Sequence, residues 1–454
     1  MSLSSQSSIH GEWGSRWAFI LAATGSAVGL GNIWRFPYVV GEYGGAAFIL
    51  VYLGCIVLIG LPVMIAEILL GRSGRQSPIN TMRTLPARYG ASQAWQILGW
   101  LGVVAGFLVL SFYSVVGGWS LAYVPFTAAG NFSGAETAVV EGFFDDLQAS
   151  PWQLLGWHTL FMALTAFIVV RGVEHGLEKA VRVLMPVLFF LLLVMVGYGM
   201  GAGDFAGALE FMFTPDFGAL SGEAILVAMG QAFFTLSLGL GAIMAYGSYL
   251  SSKYSIPGNS AMIAGADTLI AMIAGLAIFP IILVAGLDMQ QGPGLVFVTL
   301  SYGFGQMPGG LLFGTAFFLL LSFAALTSAI SIMEPATAYL VESRGWRRPA
   351  ATATVAGAAW FVGIGALLSF NVWAGYELFG LNFMQLTEYL STSIMLPLGG
   401  LLIALFAGWV MPRAFSEKEL AFSDQRWYRL WLLLVRYVVP VAIVVVFANT
   451  LLNP

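Results

Sequence analysis

Charge is what this chain has least of. Only 9% of its 454 residues are charged, where a soluble domain carries about a quarter. That excludes an assembly of soluble domains, and a hydrophobic content of 59% points to lipid as the solvent. Cysteine is limited to Cys55; without a partner in the chain, an internal disulfide is excluded and Cys55 is expected to pack within its span. The three histidines, His10, His158 and His175, are scattered. No nucleophile–base pair or metal-ligand cluster accompanies them, so no enzyme is expected. The net charge of −4 is spread over loops and fits no nucleic-acid partner. The start of the chain is polar through Ser15 and lacks the basic-then-apolar pattern of a cleaved signal, so the first apolar segment is expected to remain.

Long apolar runs are abundant, and about 20 such residues cross a bilayer as a helix. Eleven spans are expected, at roughly 16–40, 45–71, 94–128, 153–171, 178–200, 222–250, 261–287, 311–343, 349–369, 380–410 and 428–451. The fold class is therefore an all-α integral membrane protein, with 1–454 forming one domain. Basic residues set its orientation. With the N-terminus in the cytoplasm, those after spans 2, 4, 6, 8 and 10 fall inside, as the positive-inside rule requires. Acids such as Glu136, Glu141, Asp204, Asp216 and Asp288 fall outside, as does the C-terminus. A multi-pass protein of the plasma (inner) membrane is expected, in contact with the lipid bilayer. Of 18 basic residues, only Arg35 falls on the outer half.

Two spans are interrupted in matching ways: Gly25-Ser-Ala-Val-Gly-Leu-Gly-Asn-Ile-Trp-Arg-Phe-Pro37 and Phe233-Phe-Thr-Leu-Ser-Leu-Gly-Leu-Gly-Ala242. Glycine costs a helix interior about 1 kcal/mol against alanine, and a backbone group freed in lipid costs more unless protein satisfies it. Gly25 and Gly29 alone also fit a small-residue packing pair; the second break is what favours a site. Spans 1 and 6 are five apart, an odd number that reverses orientation, so an inverted repeat is expected: about 16–200 against about 222–410, with 428–451 outside it. Bare amides at such breaks face an anion and bare carbonyls face a cation, which together suggest a zwitterion beside a hard metal ion. Hard cations take oxygen ligands, and Thr235, Ser237, Asp267, Thr327 and Ser328 offer them. Asp267 is the sharpest of these, because a carboxylate inside a span is costly and marks function by default. Glu67 and Glu334 could each bond freed amides or face a polar crevice. Segment 288–310, rich in Gly and Pro, is a candidate outer lid.

Three motifs carry a resemblance: Gly-x-Ala-Val-Gly-Leu-Gly-Asn-x-x-Arg-Phe-Pro at 25–37, Phe-Phe-Thr-Leu-Ser-Leu-Gly at 233–239 and Leu-Thr-Ser at 326–328. With them the chain resembles the neurotransmitter:sodium symporter family, in particular bacterial amino-acid transporters of the leucine-transporter type, from about Trp13 to about Arg436. The resemblance implies two sodium ions (Na+) and no organic cofactor. The first ion would use the Ala27 carbonyl, Asn32, Thr235, Asp267 and the substrate carboxylate. The second would use carbonyls of Gly25, Val28 and Ala324 with Thr327 and Ser328. The substrate, a small L-amino acid, would place its carboxylate on the Leu30 and Gly31 amides and Tyr113. Its ammonium would meet Ala27, Phe234, Thr235 and Ser237, and its side chain Val109, Tyr113, Phe234, Leu240, Ser328 and Ile332. Phe234 would close over it, with Arg35 and Glu388 as the outer gate.

Departures from the family pattern sharpen the expectation. Asp267 stands where asparagine is common, and Ala271 stands where relatives carry glutamate or a chloride-coordinating serine, so transport without chloride is expected. Leu240 replaces a phenylalanine, which widens the range from aliphatic to aromatic side chains. Gly29 replaces the aspartate of monoamine transporters, which makes the α-carboxylate a requirement. The inner gate would involve Trp13 and Glu342, with the usual basic partner falling near His10. The twelfth span of many relatives is not expected, and a monomer or weak dimer is. The function expected is sodium-coupled symport of hydrophobic L-amino acids by alternating access; an amino-acid-binding sensor of the same fold and a proton-coupled transporter are the alternatives.

Overall fold

A computed structural model describes residues 11–286 and 294–452. These form α1 (Arg16–Ala27), α2 (Gly31–Glu42), α3 (Ala46–Gly74), α4 (Pro78–Arg88), α5 (Gln93–Ala128), α6 (Thr137–Ala149), α7 (Pro151–Val169), α8 (Val173–Ala202) and α9 (Phe205–Phe213). They continue with α10 (Gly222–Thr235), α11 (Ala242–Ser248), α12 (Ile256–Val284), α13 (Leu295–Gln306), α14 (Gly310–Arg344), α15 (Arg348–Leu368), α16 (Phe383–Val410), α17 (Arg413–Leu420) and α18 (Gln425–Asn449). Among the described residues the sole β-type pairing is an isolated bridge between Leu378 and Leu381. Helices satisfy their own backbone, the condition for crossing lipid.

Among the described residues nine helices are long and apolar enough to cross a membrane: α3, α5, α7, α8, α12, α14, α15, α16 and α18. The pair α1–α2 passes the same test as one span bent by 52°. The span expected at 222–250, with its interruption at 233–242, is two short helices, α10 and α11, and residues 236–241 between them leave the helix. Part of the candidate lid, with Asp288, Gly292 and Pro293, lies outside the described residues; α13 occupies most of the remainder. The most apolar windows of α5 and α14 are 78% buried, against 28% in α8 and α18. The centre of the bundle therefore lies where α5 and α14 meet the two broken helices.

Both breaks are built from backbone that helices reject. At the end of α1, Val28 turns extended (φ −72°, ψ 106°), and α2 opens with a wide π-type turn over Gly31–Arg35, a form that recurs at functional sites. At the end of α10, Ser237, Gly239 and Gly241 take φ of 52°, 79° and 74°, the left-handed region that only glycine enters freely. The buried carboxylate of Glu67 on α3 accepts from Gly239 N (3.1 Å) and Met244 N (3.3 Å), so it serves the freed amides of this second break. Ser237 is held in its unfavourable conformation by donating to Ser26 O of the first break (2.8 Å).

Candidate functional site

The first break brings its own amides to side chains. Gly29 N donates to Asn32 Oδ1 (3.1 Å) and Leu30 N to Tyr113 Oη (3.3 Å). Asn32 then reaches across to α10 and α12. Its Nδ2 donates to Thr235 Oγ1 (3.0 Å), Asp267 O (3.2 Å) and Asp267 Oδ1 (2.8 Å), and Thr235 Oγ1 donates to Asp267 Oδ2 (2.9 Å). Three helices thus converge on one carboxylate that is wholly buried. Among the described residues no basic side chain pairs with it. Two neutral donors are modest support for a carboxylate in so dry a place, where a charge needs a counter-charge.

A second oxygen cluster lies between α1 and α14. Ser328 Oγ donates to Ser26 O (3.2 Å) and Val28 O (3.3 Å), and Thr327 Oγ1 lies 3.0 Å from Ala324 O. Gly25 lies against the same hydroxyl residue: a β-carbon there would sit 3.5 Å from Thr327 Cβ and 3.0 Å from Met185 Sδ. The expected members Gly25, Val28, Ala324, Thr327 and Ser328 are therefore neighbours.

Between the two clusters is a cavity of about 20 Å³, lined by Ala27, Leu30, Gly31, Val109, Tyr113, Phe234, Ser237, Leu240, Ser328 and Ile332, together with Ser26 and Gly29. Every expected substrate residue is there except Thr235, which faces Asp267. Its walls are apolar on one side (Val109, Leu240, Ile332) and polar on the other (Ser26, Ser237, Ser328). A β-carbon on Gly29 would lie 2.8 Å from Tyr113 Oη, so this corner admits no side chain. Above it is a wider cavity of about 350 Å³, reached past Leu30, Tyr113 and Phe234, which line both. Phe234 is the partition between them.

The expected gate residues divide. Arg35 and Glu388 both line the wider cavity, yet among the described residues no ion pair joins them. The Arg35 guanidinium instead lies over the Phe234 ring, 4.7 Å from its centroid. On the opposite side Trp13 is buried, with Nε1 donating to Tyr246 O (3.0 Å) and its backbone N to Tyr249 O (3.1 Å). Its ring meets Tyr246 edge-on at 5.1 Å. Glu342 accepts from Ser77 N (2.8 Å), Ser77 Oγ (2.5 Å) and Asn80 Nδ2 (2.7 Å), and so caps α4. His10 lies outside the described residues. The molecule is therefore sealed at Trp13 and more open at Arg35. Glu334 pairs with Arg348 and accepts from Tyr249 Oη (3.0 Å), so it does not serve the broken helices.

Three participants were not foreseen. Ser26 Oγ donates to Ser331 Oγ (2.7 Å) beneath the small cavity, and Gln231 Nε2 donates to Gly31 O (3.0 Å) at the start of α2. Gln231 had a visible signal: it is an amide inside an apolar segment. Ser26 and Ser331 had none, because hydroxyls in spans usually bond to their own helix.

Two broken helices around an oxygen-lined cavity, closed on one side of a multi-pass bundle, define the class as a membrane transporter. The sodium:neurotransmitter symporter family matches residues 10–138 and 127–454, and the chain belongs to that family. It is 38% identical to a sodium-dependent transporter of Bacillus subtilis (strain 168), YhdH, over 96% of this chain and 97% of that protein. It is 32% identical to a sodium-dependent transporter of Haemophilus influenzae, over 97% and 98% respectively. Among solved structures it is similar to MhsT in complex with L-phenylalanine: TM-score 0.89, 43% identity, 97% of this chain and 99% of that one. The protein is thus a sodium-dependent transporter and not an enzyme.

Proposed function

We propose that this transporter couples sodium to the uptake of hydrophobic L-amino acids, aliphatic to aromatic, by alternating access and without chloride. The observation that carries the reading is Asp267. A wholly buried carboxylate, bonded through its side chain among the described residues to Asn32 and Thr235 alone, stands at the broken helices whose small cavity is lined by Val109, Leu240 and Ile332. The L-phenylalanine held by the similar MhsT supports the substrate class.

In this mechanism sodium enters between Ala27, Asn32, Thr235 and Asp267. Asn32 turns its amide so that the oxygen, not the nitrogen, faces the cation. A second sodium sits among Gly25, Val28, Ala324, Thr327 and Ser328 and ties α1 to α14. The substrate carboxylate completes the first ion's shell and takes the Leu30 and Gly31 amides and Tyr113 Oη. Its ammonium meets Ala27, Phe234, Thr235 and Ser237. The small cavity must widen to admit a side chain, and Phe234 moves to allow it. Arg35 then leaves the Phe234 ring for Glu388 and shuts the side that lies outside the cell by the positive-inside rule. The Trp13 contacts release afterwards. A fixed charge at Asp267 takes the place a mobile anion would fill: opposite unit charges about 4 Å apart at an effective dielectric near 20 attract by about 4 kcal/mol, and a carboxylate that ligates the ion stands closer still. Glu67 is committed to backbone amides and Glu334 to Arg348, which favours sodium over protons as the driving ion.

The test is uptake into sealed proteoliposomes. A sodium gradient should accumulate leucine and phenylalanine equally well in chloride and in gluconate. Leucine should compete, and its decarboxylated amine should not. Accumulation driven by a pH gradient alone, or lost with chloride, would contradict the mechanism, and binding without accumulation would make the protein a sensor.

A further inference from the structure

Behind the Arg35–Phe234 gate lies another cavity, of about 240 Å³, between α3, α10, α16 and α18. It shares Phe234 with the small central cavity, and Phe234 and Arg35 with the wider one. Ile59, Met229, Phe233, Leu396 and Ile443 make most of its surface apolar. Among the described residues charge enters at two points, Arg35 and Glu223. Glu223 is exposed at the start of α10, where its Oε1 accepts from Tyr43 Oη (3.1 Å). Arg35 has no ion pair among the described residues.

The surroundings say where the crevice opens. The neighbours Val57, Leu58, Ile225 and Val445, on three of the four walls, are exposed large apolar side chains. In a chain that crosses a membrane, such a surface faces lipid tails. A crevice that opens onto lipid, lined with apolar side chains and carrying one cation and one carboxylate, matches an amphiphile with an apolar tail and a head of both charges.

We propose that this crevice binds one phospholipid with a zwitterionic ethanolamine head, its phosphate on Arg35, its ammonium at Glu223 and an acyl chain between α10 and α18. Arginine holds phosphate by charge-assisted hydrogen bonds, and head groups are recognised in pockets of this kind between spans. Under the gate reading above, the phosphate competes with Glu388 for the same guanidinium, so the bound lipid sets how readily the wider cavity closes. The lipid site itself does not depend on that reading.

The test uses the full chain, purified in detergent with phosphatidylethanolamine or with phosphatidylglycerol of identical chains, and native mass spectrometry to count retained lipid. One phosphatidylethanolamine per chain should survive washing that strips the rest. Ala442→Trp, which fills the crevice, should cut its occupancy about tenfold. Glu223→Gln, an exposed and isosteric change that leaves the fold intact, should erase the preference for ethanolamine over glycerol. Thermal unfolding of both variants checks that they are folded. Absence of retained lipid, equal retention of both lipids by the unaltered protein, or full retention by a folded Ala442→Trp protein would overturn the proposal. Displacement of the lipid by a second equivalent of hydrophobic amino acid would overturn it too, by assigning the crevice to a small zwitterion.

Discussion

Asp267 concentrates the chemistry at the scale of single residues. Its carboxylate meets Asn32 and Thr235, so sodium and substrate affinities should fall together in Asp267→Ala. Loss of a charged partner costs about 1.5–3 kcal/mol, roughly 10- to 100-fold in affinity; binding titrations of each ligand check it, and a change in only one would separate the two sites. Gly29→Asp should abolish amino-acid binding, since its β-carbon would already stand 2.8 Å from Tyr113 Oη, with a like charge then facing the substrate carboxylate. Leu240→Phe should narrow the apolar wall and shift preference in competition assays from phenylalanine toward leucine and valine. Asp267 and Gly29 were legible in the sequence because each is a residue type out of place, an acid in a span and a glycine where a helix should continue, whereas Leu240 stood out only through the family resemblance. Ser26 and Ser331 were not, because their bond to one another exists only once α1 has broken and turned toward α14.

Elements show how a broken helix survives in lipid. The second break places three residues at positive φ and frees amides that no neighbouring turn can take. Glu67, one helix away, accepts two of them. Glu67→Gln keeps the shape but sets an N–H donor against N–H donors, leaving at least one amide bare at a cost of about 1–3 kcal/mol. Thermal unfolding in detergent should register the loss, and sodium with substrate should recover part of it by binding the folded state. The presence of both breaks could be read from Gly-Leu-Gly, since period and composition suffice to find an interrupted apolar run. How each break is satisfied could not be read: Glu67 and Glu334 look alike in sequence, and only packing assigns one to bare amides and the other to Arg348.

The whole molecule is asymmetric. Trp13 stitches the N-terminal segment to the last turn of α11 and the residue after it, while among the described residues no ion pair joins Arg35 and Glu388 across the wider cavity. Trp13→Ala removes a buried aromatic anchor, so it should raise the accessibility of a cysteine placed at Ser26 to reagents added on the Trp13 side of the membrane; unchanged labelling would show that the seal lies elsewhere. Alternating access further requires that sodium and substrate favour the same arrangement of the bundle, and such coupling is reciprocal by thermodynamic necessity. The most direct measurement is therefore L-phenylalanine binding to the purified protein across a sodium titration, paired with sodium binding across a phenylalanine titration. Shared occupancy of the broken helices predicts that each ligand raises the other's affinity by the same factor, with little amino-acid binding when sodium is absent. Phenylalanine affinity that stays constant from zero to saturating sodium would contradict it.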